Sequence, residues 1–211
     1  MALYDVKPRF RALLSGLVPV LRCVHPDWIT LLGLACSIAA AWLFQSAERL
    51  RWPFLAIPLL LLLRITLNAL DGMVAQATGK ARAFGEVLNE GTDRLSDVAI
   101  LLGIAVSPLA SLGWGTAATV AVLLSSYVGT LGKAVGAGRQ YGGVLGKADR
   151  MLYLGLVCVA SFFIGNPVVA RVDMGPITLF DSLLGAFAGL ALVTAIQRVL
   201  AIHGILRESR A

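Results

Sequence analysis

The sequence predicts an all-α integral membrane protein: six transmembrane helices preceded by an amphipathic surface helix. The first ground is composition. Of 211 residues, 58% are hydrophobic and 14% charged, whereas a soluble domain carries roughly 25% charge. Mean hydropathy is +0.82. The second ground is patterning, because the apolar residues fall in long runs instead of narrow stripes, each near the ~20 residues that a bilayer core requires. The third is the distribution of basic residues, which crowd into alternate intervals between the runs.

Taken in order, residues 4–21 place Phe10, Leu13, Leu14, Leu17 and Val18 at three- and four-residue steps, with Lys7, Arg9 and Arg11 at the start. That pattern suits a helix lying on the cytoplasmic leaflet; a helix packed on the bundle is the plainer reading. Residues 1–22 lack the short apolar core and small-residue cleavage site of a signal peptide and are read as mature chain. Six spans follow at 28–46, 52–72, 89–108, 112–132, 150–164 and 179–201. The fifth is short and contains glycine. No soluble domain, repeat or linker remains, so residues 1–211 are expected to form a single membrane domain.

With the N-terminus inside, fourteen basic residues fall on the cytoplasmic side, from Lys7 to Arg210, and only Arg49, Arg51 and Arg171 outside. The positive-inside rule then places both termini, and the segments 68–97 and 133–150, in the cytoplasm of a cell (inner) membrane. The net charge of +6 suits anionic membrane lipids better than nucleic acid, since the basic residues flank apolar spans. Cys23, Cys36 and Cys158 are odd in number and match no metal spacing, so buried thiols are expected. His25 and His203 read as interfacial polar residues, and Trp28, Trp42, Trp52 and Trp114 as an aromatic belt.

The informative segment is 68–97. Asn68 and Asp71 share one helix face by three-residue spacing, and Asn89, Asp93 and Asp97 share another at four-residue steps. Glu86 and Glu90 lie on the edges of that stripe. Such groups are costly in lipid and mark function when they face a protein interior. Hard oxygen ligands without nearby His or Cys suit Mg²⁺ or Mn²⁺. A divalent ion at a membrane surface suggests phosphoryl chemistry, with a remaining carboxylate taking a proton from an attacking hydroxyl. A structural polar network and a transporter lining stay open as alternatives.

The segment resembles the CDP-alcohol phosphatidyltransferase family, marked by Asp-x2-Asp-Gly-x2-Ala-Arg-x8-Gly-x3-Asp-x3-Asp. Here the same spacing is held by Asn68, Asp71, Gly72, Ala75, Gln76, Gly85, Asn89 and Asp93. Pro26-Asp27-Trp28-Ile29-Thr30 resembles the Pro-Asn-x-x-Thr start of the family's first span. Asp93-Arg94-Leu95-Ser96-Asp97 and Gln197-Arg198 resemble the phosphatidylinositol-phosphate synthase branch. The resemblance implies a divalent-metal-dependent transferase of phospholipid synthesis. It would move a phosphatidyl-type group from a CDP-diacylglycerol-type lipid to an alcohol or phosphorylated polyol, releasing CMP. By the same resemblance, Asn68, Asp71, Asn89 and Asp93 would hold metal, Asp93 would be the general base, and Gly72, Ala75, Gln76 and Gly85 would shape the nucleotide site. Lys133, Arg150 and Arg198 would hold an acceptor phosphate, and the protein would be a homodimer. A phosphatidylinositol-phosphate or phosphatidylglycerol-phosphate synthase is the narrower alternative; a weak or inactive lipid-binding or transport homologue is the other.

Three positions depart from the pattern. Asn68 and Asn89 stand for aspartates and Gln76 for an arginine. Asparagine keeps a carbonyl oxygen but loses the charge, so two divalent ions would be poorly neutralised. Glu86, Glu90 or Asp97 would restore charge, or the site would hold one metal tightly and a second only with the CDP diphosphate. Arg64, inside span two, either faces the site or snorkels along its helix.

Overall fold

The computed structural model describes residues 2–172 and 175–209, with side chains from Pro8 onward. Lys7 and Arg210, both in the charge tally, lie outside the described side chains. The chain opens with α1 (Ala2–Leu14), a 3₁₀ turn (Ser15–Leu17) and α2 (Val18–Leu21), then α3 (Pro26–Leu50), α4 (Pro53–Ala77), α5 (Ala83–Ala105), α6 (Leu112–Ala134) and α7 (Lys147–Ile164). A hairpin of β1 (Val168–Val172) and β2 (Gly175–Thr178) leads into α8 (Leu179–Glu208). Each predicted span overlaps one of the long helices, which overrun the predicted limits at one end or both; the third span, drawn to 108, outlasts α5, which ends at Ala105.

Among the described residues, α3, α4, α6 and α8 are long and apolar enough to cross a membrane. The other two long helices fall short for a chemical reason. Helix α5 carries Glu86, Glu90, Asp93, Arg94 and Asp97, and α7 has only 18 residues and begins Lys147-Ala-Asp149-Arg150. The chain is a multi-pass, mainly helical membrane protein. Its outward surface is greasy, with Trp42, Leu59, Phe163 and Leu200 largely exposed, as a lipid-facing surface requires.

Helix α3 packs on α4 and α5, α6 on α5 and α8, and α7 on α4. Two crossings depend on the absence of a side chain. A Cβ on Gly103 would lie 2.6 Å from the Ala41 Cβ, and one on Gly115 would lie 2.1 Å from the Ala105 Cβ. Small residues let helix backbones approach in lipid, where van der Waals packing replaces the hydrophobic drive. One apolar cluster fills the end of the bundle where α3 meets α4; there Phe180 packs edge-on to Phe44 and stacks on Phe54 at 5.9 Å.

A second cluster joins the N-terminal segment to α3 and α4 through Leu14, Val18, Ile29, Cys36, Leu67, Leu70 and Val74. Two expectations are corrected here. The predicted continuous helix over 4–21 is broken by the 3₁₀ turn, with Gly16 in it and Pro19 opening α2. Of its apolar stripe, Leu14 and Val18 are buried while Leu13 and Leu17 are exposed. The hairpin was also not foreseen. Val168, Val169 and Val172 favour strand, and β1 pairs antiparallel with β2 at the bundle surface.

The hairpin end is tied by polar contacts. Thr178 caps α8 and accepts from the Asp181 N–H at 3.1 Å, and the Asp181 carboxylate accepts from the Ser111 N–H at 2.7 Å. Asn166 and Thr178 both donate to the Leu109 carbonyl, at 2.7 and 2.8 Å. Gly103→Ala and Gly115→Ala are expected to lower the midpoint of thermal unfolding in detergent, each by an amount equivalent to about 1–3 kcal/mol of overpacking. Gly113→Ala, where a Cβ meets open space, should leave it unchanged.

Candidate functional site

The last turns of α4 and the first turns of α5 face each other across the turn at 78–82, in which Gly79 adopts φ +66°, a conformation that glycine takes without strain. The Asn68 amide spans the gap, donating to Asn89 Oδ1 at 2.9 Å and to Asp93 Oδ1 at 3.0 Å. Asp71 is buried and accepts from Thr30 Oγ1 at 2.8 Å and from the Gly72 N–H at 2.6 Å. Four of the predicted residues are thus gathered at one junction. Thr30 joins them from the first turns of α3; its signal was the Pro-Asp-x-x-Thr stretch.

A second layer lies one turn deeper. Asp97 is 1% exposed, Arg64 1% and Arg150 3%. Arg64 reaches Asp97 Oδ1 at 3.3 Å and Arg150 reaches Asp97 Oδ2 at 2.8 Å. Arg64 also donates to the Asp93 carbonyl at 3.4 Å and lies 3.9 Å from Asp93 Oδ1. Of the two readings for Arg64, the structure shows the buried one, facing the site. Its role could not be read from spacing, because its partner Asp97 lies on another helix. Lys147, at the start of α7, pairs with the same Asp93 Oδ1; the sequence placed it in the cytoplasmic 133–150 segment without showing its partner.

The three acids expected to add charge are each engaged by bases. Asp97 is held by Arg64 and Arg150, Glu90 by Arg139 and, at 3.8 Å, by Arg94, and Glu86 by Lys133. Between α3, α4 and α5 lies a polar cavity of about 10 Å³, walled by Thr30, Arg64, Asn68, Thr92, Asp93 and Ser96, room for about one water-sized species.

The predicted nucleotide positions border open space. A Cβ on Gly72 would meet nothing within 4 Å, and Gly85 faces only the Arg82 side chain. Ala75 is half-buried and Gln76 exposed. Gln76 lines an open cleft of about 510 Å³ together with Met73, Arg11, Ser15 and Arg22. The N-terminal segment therefore supplies two cations beside the position where the family pattern has arginine.

Among the residues expected to hold an acceptor phosphate, Arg198 donates to the carbonyls of Gly142 at 2.9 Å and Ser125 at 2.7 Å. Gly129 makes room for it, since a Cβ there would lie 3.0 Å from its guanidinium. Gln197 and Thr194 accept from the N–H groups of Val144 and Leu145, both at 3.0 Å, so α8 holds the 135–146 loop in place. Arg198 stands within the electrostatic reach of Arg94, Arg139 and Arg150. Lys133 is paired with Glu86.

Among the described residues, no three His, Cys, Asp or Glu side chains gather as a metal cluster, because two of the four motif ligands are amides. The donor set of two carboxylates and two amide oxygens nonetheless fits one hard divalent ion. The Asn68 amide now presents its N–H groups, and a half-turn would present Oδ1 instead.

Comparison with known proteins places the chain. The family model for CDP-alcohol phosphatidyltransferase matches residues 23–197. The inner membrane protein YnbA of Escherichia coli (strain K12) is 34% identical over 160 residues, covering 74% of this chain and 78% of the relative. A phosphatidylinositol phosphate synthase of Mycobacteroides abscessus is 30% identical over 186 residues, covering 84% of this chain and 77% of the relative. The structure of Mycobacterium tuberculosis phosphatidylinositol phosphate synthase with CDP-DAG bound has the same fold, with a TM-score of 0.67 at 24% identity over 92% of each chain. That synthase has also been solved with manganese and citrate, with a TM-score of 0.67 at 24% identity, over 92% of this chain and 88% of its own.

Asp97→Asn is expected to be severely destabilising, because two buried guanidinium groups lose their counter-charge, a change that costs about 3–5 kcal/mol. The measurement is the yield of monodisperse protein on size exclusion after membrane extraction.

Proposed function

The chain belongs to the CDP-alcohol phosphatidyltransferase family, transferring a phosphatidyl-type group from a CDP-linked lipid to an alcohol, and we propose that the junction of α4 and α5 is where it does so. The observation that carries this is the meeting of Asn68, Asp71, Asn89 and Asp93 from two helices beside the open space at Gly72. Asp71 and Asp93, with the carbonyl oxygens of Asn68 and Asn89, would hold Mg²⁺ or Mn²⁺. That ion supplies positive charge against the donor diphosphate. Gly72 and Gly85 let backbone approach the nucleotide, Ala75 leaves it room, and Gln76 offers an amide.

Asp93 takes the proton from the acceptor hydroxyl. The hydroxyl oxygen attacks the lipid-bearing phosphorus. The bond from that phosphorus to the bridging oxygen breaks, and CMP leaves with the bond's electron pair. Arg198 would receive the acceptor's phosphate in the field of Arg94, Arg139 and the buried Arg150, with Lys133, paired to Glu86, at the rim. A phosphorylated polyol is therefore the acceptor class favoured here, in keeping with the phosphatidylinositol phosphate synthase relative.

All six long helices cross the membrane in this reading, with both termini and the site facing the cytoplasm of the inner membrane. The single domain then includes the N-terminal segment, which lies at the leaflet surface with Leu13, Leu17 and Val20 toward lipid. Entry of the donor from the side keeps its tails in hydrocarbon. The family resemblance adds a homodimer.

CMP release from CDP-diacylglycerol in nanodiscs, with Mg²⁺ or Mn²⁺, should be fastest with a phosphorylated polyol across an acceptor panel and should stop on chelation. Asp93→Asn should reduce release by at least ~100-fold, the scale of a lost general base, with an unchanged elution profile. Unaltered turnover in that variant would remove Asp93 from the mechanism. Equal rates with phosphorylated and unphosphorylated polyols would remove the phosphate pocket.

A further inference from the structure

We propose that Lys147 is an internal counter-cation that takes the place of a second metal ion, so that this site works with one. This rests on the metal-site reading above and specifies its stoichiometry. Four facts lead to it. The motif positions provide two carboxylates, Asp71 and Asp93, where Asn68 and Asn89 are amides. No third acidic ligand joins them among the described residues. The nearby acids are already engaged: Asp97 with Arg64 and Arg150, Glu90 with Arg94 and Arg139. Lys147, reaching in from the first residue of α7, places its ammonium on Asp93 Oδ1, the oxygen that also receives the Asn68 amide.

Charge balance turns these facts into a stoichiometry. The junction and the layer beneath it hold four carboxylates, Asp71, Asp93, Asp97 and Glu90, against Arg64, Lys147, Arg150 and Arg94, whose guanidinium lies 3.8 Å from Asp93 Oδ2, with Arg139 on Glu90 as a further cation. One divalent ion then matches the two negative charges of a CDP diphosphate. A second would leave two positive charges unmatched beside the partly buried Lys147 and Asp93, where uncompensated charge is disfavoured. An ammonium suits the substitute's role. It is a compact point charge, and the first turn of α7 fixes its position. The two amides and the lysine act in the same direction: the amides bring two fewer negative charges than four aspartates would, and the lysine sets a positive charge on Asp93.

The test is Mn²⁺ binding to the full chain in nanodiscs with CDP present, followed by calorimetry and by electron paramagnetic resonance. Wild type is expected to bind one Mn²⁺ per chain with no spin-coupled signal. Lys147→Met should tighten that first ion roughly tenfold by removing a like charge from its surroundings, and Lys147→Arg should restore the original affinity. The triple variant Asn68→Asp, Asn89→Asp, Lys147→Met should bind two ions with a coupled signal. Two ions on the wild type would overturn the single-metal proposal and leave the metal site standing. A folded triple variant that still binds one ion would show that Lys147 does not stand in for a metal. No binding at all, even with CDP, would overturn the metal-site reading itself.

Discussion

Arg64, Asp97 and Arg150 come from α4, α5 and α7, and none of them has water to turn to. A lone charge in so apolar a setting costs far more than a folded domain has to spare, so the three side chains can exist there only together. The ion triad fixes the level at which three helices meet and their rotation about their own axes. Asp93 lies one helical turn above Asp97 on α5, and Arg64 touches the backbone of one and the carboxylate of the other. The position of Asp93, the proposed base, is therefore set by the buried ion layer beneath it.

Above that layer the electrostatics are restrained. Every acid near the junction except Asp71 has a basic partner, and Asp71 is held by a hydroxyl and a backbone amide. Neutral hydrogen bonds fix geometry without consuming charge. An arriving cation finds Asp71 oriented but not neutralised, and Asp93 oriented and partly neutralised. The two motif carboxylates are thus unequal, although their positions in the pattern are alike. The inequality comes from what packs on them: α3 supplies a threonine to one, and α7 supplies a lysine to the other.

Much of this was legible in the chain. Helical spacing put Asn68 with Asp71 and Asn89 with Asp93 on matched faces, and long apolar runs placed all six long helices. What escaped shares one cause, which is partnership across distant sequence. Lys147 and Asp93 are 54 residues apart, and Thr30 and Asp71 are 41; no periodicity encodes either pair. Asp97 read as spare negative charge because its arginines belong to other helices. Asp181 drew no notice because a lone acid at a helix start reads as a cap, and its second task, holding the Ser111 N–H, depends on tertiary structure. The N-terminal segment had a helical stripe, but Gly16 and Pro19 broke it.

Helix α8 has 30 residues, roughly 45 Å at 1.5 Å per residue, against a hydrocarbon core about 30 Å thick. The apolar stretch read within it, 179–201, is roughly 35 Å at 1.5 Å per residue, and the last turns, with His203, Arg207 and Glu208, lie beyond it. Its first turn is fastened through Asp181 to the start of α6, and its far half holds the 135–146 loop through Thr194, Gln197 and Arg198. A strut pinned at one end and carrying a loop on its other half converts a change of tilt into a displacement of that loop. Any displacement of α8 is thereby carried to the 135–146 loop and to Arg198, which is bonded to that loop.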